Sequence, residues 1–160
     1  MSIIGNALKV IAPLNNRLYI YRTGDTGTFT SLAWADSYSH SAHAPSISYS
    51  PTLTITQDVN HAGIAYYSTM VDLTDYSYIY AKGTYTANST TNNGVYVEAS
   101  LTGGGYYPAK ASAKQEIAGN GQQTVTVDVR SLSGSYYIAF GLARSGGVNS
   151  VFTITEVYAE

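Results

Sequence analysis

Apolar and polar residues alternate with a period of two along much of this chain. Clusters of Gly, Asn, Ser and Pro cut the alternation into short runs. In Asn93–Leu101, Val95, Val97, Ala99 and Leu101 share one face, and Tyr96, Glu98 and Ser100 the other. Thr124–Arg130 sets Val125, Val127 and Val129 against Thr124, Thr126 and Asp128. Tyr136–Leu142 sets Tyr136, Ile138, Phe140 and Leu142 against Tyr137, Ala139 and Gly141. Further strands are predicted at Arg17–Arg22, Phe29–Tyr38, Ser46–Tyr49, Leu53–Thr56, Ile64–Val71, Ser77–Thr86 and Val151–Tyr158. Turns are predicted at Gly24–Gly27, Asn88–Gly94, Gly103–Gly105, Gly119–Gly121, Ser133–Gly134 and Gly146–Asn149. Ala109–Ile117 comes nearest to a 3.6 period, with Pro108 as a helix start, and is read as a strand. About ten strands at spacings of about 8–12 residues predict an all-β fold, an antiparallel β-sandwich of jelly-roll type. Residues 17–160 then form one domain. Residues 1–16, with Pro13 and Asn15–Asn16 before the first strand, are expected to be an arm that docks elsewhere.

Composition narrows the function. Among 160 residues, 8 are Lys or Arg and 10 are Asp or Glu, for a net charge of −2. Charged residues make up 11%, less than half of the roughly 25% usual in soluble domains. No basic surplus exists to neutralise phosphates, so nucleic acid is not an expected partner. In place of charge the chain carries 16 Tyr, 18 Ser and 18 Thr. With no Cys there is no disulfide framework and no thiolate zinc site. The apolar start MSIIGNALKVIAPLNN has no basic region before it and is interrupted by Lys9, unlike a secretory signal. Synthesis in the cytoplasm and no membrane insertion are expected, since no run of 18 apolar residues occurs.

Three segments carry a resemblance. They are Leu18–Gly24 (LYIYRTG) with Trp34 ten residues on, Val71–Ile79 (VDLTDYSYI), and Val125–Ile154 with VTVDVRSLSGSYYIAFGL and VFTI. Their order resembles the jelly-roll, carbohydrate-binding-module-like domains of bacteriophage tail and other virion proteins, and Gly5–Leu8 (GNAL) is similar to the openings of some phage structural proteins. The resemblance implies a non-enzymatic virion component of tail, fibre or capsid surface. Its implied location is the virion, after synthesis in a host cytoplasm. Its implied partners are other virion proteins or copies of itself, with host-surface glycans as ligand candidates. The alternative is a stand-alone carbohydrate-binding module of a bacterial surface or secreted protein.

The candidate site follows from strand parity. Ile79 and Ala81 point inward, which sends Tyr78, Tyr80 and Lys82 outward. Tyr96, Glu98 and Tyr137 are outward by the same rule, and the six are expected on one outer face. Tyrosine rings there would stack on the apolar face of a pyranose, while Lys82 and Glu98 would bond its hydroxyls. Cross-strand stabilisation of the sheet, at about 0.2–1 kcal/mol per pair, and packing on another subunit remain as alternative uses. Tyr106 and Tyr107, after Gly103–Gly105, are candidates for a loop contact. Trp34 is expected in the core and Asp72 as a turn residue. His40 and His43, spaced HxxH, and His61 are read as loop residues, because zinc needs at least three convergent ligands. Asp25, Asp72 and Asp75 lack an EF-hand spacing. No metal or cofactor is expected. Neither G-x-S-x-G nor H-E-x-x-H occurs, and the ten acids are scattered singly, so no enzyme is expected.

Overall fold

β-branched and aromatic residues in alternation favour a pleated, half-buried surface, and the chain folds accordingly. The computed structural model describes residues 17–24, 29–35, 46–49, 51–56, 62–87, 94–101, 111–142 and 149–160, with the backbone alone at 29–35, 62–65, 96 and 116. The strands are β1 (Leu18–Arg22), β2 (Phe29–Ala35), β3 (Ser46–Ser48), β4 (Leu53–Thr56), β5 (Ala62–Tyr67), β6 (Val71–Asp72), β7 (Tyr78–Thr86), β8 (Gly94–Ser100), β9 (Ala113–Ala118), β10 (Gly121–Asp128), β11 (Ser135–Leu142) and β12 (Val151–Ala159). Residues 1–16, Asp25, His40, His43, His61, Tyr106 and Tyr107 lie outside the described residues. Trp34 pairs with Gly63 in the ladder, but its side chain is likewise outside the description.

Two six-stranded antiparallel sheets form the jelly-roll sandwich. Sheet A runs β10-β7-β12-β4-β3, with β1 also on β12. Sheet B runs β2-β5-β11-β8-β9, with β6 also on β11. Between them lies one apolar core, drawing Leu53, Ile79, Val125 and Phe152 from sheet A and Val97, Ile138, Phe140 and Leu142 from sheet B. Tyr85 and Tyr136 join it, as the alternation predicts. The Ala109–Ile117 candidate is a strand over Ala113–Ala118, not a helix.

Glycine decides one connection and one close approach between strands. Gly119 (φ 104°) and Gly121 (φ 95°) take left-handed conformations that carry the chain from β9 in sheet B to β10 in sheet A. The predicted turn is therefore a crossing between sheets. Gly83 faces the core where β7 meets β12, and a Cβ there would fall on the Thr153 carbonyl oxygen and 2.8 Å from the Phe152 ring.

Two predicted strands depart from simple alternation. Ile64–Val71 is two strands, β5 and β6, both on β11, with Tyr67–Met70 bulging opposite Tyr137 and Ile138. In β12 the register on β7 shifts between Ile154 and Glu156. Phe152 and Ile154 face the core before this bulge; Val157 and Ala159 face it afterwards. Thr155 is anchored on both flanks: its carbonyl accepts from Thr23 N at 2.8 Å, and its hydroxyl donates to the Lys82 carbonyl at 3.2 Å.

Candidate functional site

The six residues expected on one outer face occupy two. Tyr78, Tyr80 and Lys82 stand on β7 in sheet A, whereas Tyr96, Glu98 and Tyr137 belong to β8 and β11 in sheet B. Parity reports only that a residue points away from the core, and a sandwich has two outsides.

On sheet A the tyrosines form a ladder across strands. Tyr80, Tyr158 and Tyr19 are consecutive register partners on β7, β12 and β1. Tyr80 stacks on Tyr158 with centroids 4.9 Å apart and planes at 21°. Tyr19 meets Tyr158 at 5.6 Å and Tyr78 meets Tyr80 at 6.1 Å. Cations take up further ring surface: Arg22 lies 3.8 Å from the Tyr19 centroid, Arg17 4.6 Å and Lys82 5.1 Å from Tyr158, and Arg130 5.3 Å from Tyr78. Three of these cations also hold carboxylates, in the pairs Arg17–Glu160 (2.7 Å), Lys82–Glu156 (3.3 Å) and Arg130–Asp128 (2.5 Å). Arg130 accordingly holds the Asp128 carboxyl down at about 2. Tyr158 is left 3% exposed although it points away from the core. This face is an interlocked arrangement whose rings already stack on one another and under cations.

Sheet B presents a different surface. Reading across β9, β8, β11 and β5, one register row is Lys114, Glu98, Ala139 and Tyr66. The next along β8 and β11 pairs Ser100 with Tyr137, and the row on the other side pairs Tyr96 with Gly141. Ala139 and Gly141 thus form a strip of small residues between larger neighbours. Tyr66 and Tyr137, both half-buried, meet edge to face at 5.8 Å and 81°. In that geometry the edge-on ring offers neither of its faces to its partner.

Glu98 is the unusual member. Expected as an exposed hydrogen-bonding group, it is only 1% exposed. Its Oε2 has no hydrogen-bond partner among the described residues. Burial pushes its carboxyl up to about 7, with the Lys114 cation pulling the other way. Ser100, also on this outer side, is 3% exposed.

Asp72 fills the turn role expected of it. Its Oδ1 accepts from Thr74 N (3.0 Å) and Thr74 Oγ1 (2.7 Å), which hold its carboxyl below the usual range. Among the described residues no group of three His, Cys, Asp or Glu is placed to hold a metal ion. Sequence reasoning missed Tyr158, Tyr19 and the arginines of the sheet A ladder. The signal for Tyr158 was present, because Thr155–Glu156 breaks the alternation between Ile154 and Val157. Tyr66 carried no such signal, since Ile64–Tyr66 and Ala65–Tyr67 read alike.

No protein-family model matches the chain, and no curated protein matches it. Solved structures do. One is a family 29 carbohydrate-binding module (CBM29-2), 11% identical, with a TM-score of 0.53 over 90% of this chain and 91% of that one. Another is CBM86, a low-affinity xylan-binding module from the gut symbiont Roseburia intestinalis, 9% identical, with a TM-score of 0.51 over 90% and 92%. A third is the glycoside hydrolase domain Endo-D of Streptococcus pneumoniae, 18% identical, with a TM-score of 0.49. That likeness covers 68% of this chain and 18% of the longer one. The first two share this fold over nearly their full length.

Proposed function

We propose that this protein is a non-catalytic carbohydrate-binding module that contacts its glycan with the outer face of sheet B. The observation that carries the reading is the edge-to-face pair Tyr66–Tyr137, beside the Ala139–Gly141 strip and the buried Glu98. The pair offers half-buried aromatic surface for sugar C–H groups, and Lys114, exposed in the same register row, is the polar group available for hydroxyls. The fold likeness to two carbohydrate-binding modules supports it. Tyr78, Tyr80 and Lys82 are assigned to the scaffold, because their rings and charge are already engaged. The virion setting rests on the motif resemblance alone, so glycan binding comes first and a stand-alone module is the preferred context. Mass spectrometry of purified virions tests that setting separately.

Affinity electrophoresis in gels containing neutral polysaccharides tests the binding face. Tyr66→Ala and Tyr137→Ala are expected to weaken retardation at least tenfold, and Tyr80→Ala to leave it near wild type. Retention of full binding by both sheet B variants would overturn the assignment.

A further inference from the structure

One cation of the sheet A ladder is left over. Four of the chain's eight Lys and Arg residues lie over its rings, and three of them hold carboxylates. The fourth is Arg22, exposed on β1 and paired with no carboxylate among the described residues. Its register partner Glu156 is held by Lys82 instead. Tyr19, the ring that Arg22 covers, is 37% exposed. Hydrogen bonding from Arg17, and then from Arg22, holds the Tyr19 phenol below its ordinary range. With both guanidiniums donating to its oxygen, what the phenol has left to offer is its own O–H. The spare hydrogen-bonding groups of Arg22 and Tyr19 are therefore all donors, beside one unneutralised positive charge.

Uncharged hydroxyls lie close by in the same sheet. Strands β1 and β4 run end to end along one flank of β12, β1 against residues 156–159 and β4 against 151–154. The Tyr21 hydroxyl, accepting from Leu53 N at 2.7 Å, joins them. Thr54 on β4 continues through its register partners Thr153 on β12 and Thr84 on β7, each half-buried on the outer side. This rank stands three residues, or roughly 10 Å, along β12 from the Arg22 row. Its hydroxyls can both give and accept hydrogen bonds.

We propose that this corner of sheet A is a second binding site, one that takes the carboxylate of an acidic sugar. Arg22 receives the carboxylate through paired N–H groups, and the Tyr19 O–H adds a third donor. The threonine rank meets neighbouring ring hydroxyls. One surplus charge suits an isolated carboxylate on a sugar ring, unlike the dense phosphates of a nucleic acid. An acidic peptide brings carboxylates but no ring hydroxyls for the threonines. The site is independent of the tyrosine pair on sheet B.

Isothermal titration calorimetry with hexagalacturonate tests the site, with hexaglutamate and cellohexaose as comparators. Wild type is expected to bind hexagalacturonate, and less tightly as salt is raised. Arg22→Ala is expected to lose at least tenfold. Arg22→Lys, a point charge without the fork, is expected to recover only part of that loss. Tyr19→Phe keeps the ring under Arg22 and is expected to lose about threefold. Cellohexaose reports on the sheet B face alone and is expected to bind all three variants as it binds wild type. No binding of hexagalacturonate, or binding unchanged in Arg22→Ala, overturns the proposal. Loss in Lys114→Ala in place of Arg22→Ala moves the acid to sheet B and overturns it too. Hexaglutamate bound as tightly, through Arg22, gives the site to an acidic peptide and overturns the sugar assignment. Should Arg22→Ala misfold by circular dichroism, Arg22→Lys and Tyr19→Phe decide, and full binding by both overturns the proposal.

Discussion

A carboxyl buried without a partner makes folding itself depend on pH. Glu98 has a folded value near 7 against an ordinary 4.5. Below about pH 4.5 both folded and unfolded chains hold its proton; between 4.5 and 7 only the folded chain does. Its contribution is therefore complete at low pH and is lost as pH rises through 7, by about 3 kcal/mol. Glu98→Gln is expected to flatten thermal stability between pH 5 and pH 8, where wild type loses several degrees; melting curves at the two pH values check this. A second residue-scale prediction concerns Tyr21, whose buried hydroxyl oxygen accepts a hydrogen bond from Leu53 N at 2.7 Å. Tyr21→Phe leaves that amide unsatisfied and is expected to cost about 1–3 kcal/mol by urea unfolding. Neither role was legible in the sequence. Alternation placed Glu98 outward, correctly, but outward was equated with exposed.

Strands β7 and β12 show how far pattern reading carries. The alternation in Tyr78–Thr86 gave its inward set, Ile79, Ala81 and Tyr85, because no bulge interrupts its pairing with β10. In β12 the Thr155 bulge reverses parity, and Tyr158 comes to stand in the outer ladder with Tyr80 and Tyr19. The approach of β12 to Gly83 makes that position intolerant of any side chain. Gly83→Ala is expected to destabilise by about 3 kcal/mol or more in denaturant unfolding, since the nearest neighbour, the Thr153 carbonyl oxygen, is backbone and cannot swing away. Tyr80→Ala removes the β7 end of the ladder, and with it the stacked contact on Tyr158, and is expected to cost about 1–2 kcal/mol.

At the scale of the whole molecule, short strands with turns between them were enough to indicate an antiparallel sandwich. They were not enough to say which strands share a sheet. Sheet membership is fixed by pairings such as β7 on β12 and β11 on β8, between segments distant in sequence, and local periodicity has no access to it. The consequence is functional. One imagined tyrosine face became an interlocked ladder on sheet A and a tyrosine pair beside a buried carboxyl on sheet B. Amide chemical shifts followed by NMR during titration with xylohexaose and cellohexaose distinguish the two faces most directly. Perturbations concentrated on β5, β8 and β11 are predicted. Perturbations confined to β7, β10 and β12, or none with either sugar, would contradict the account.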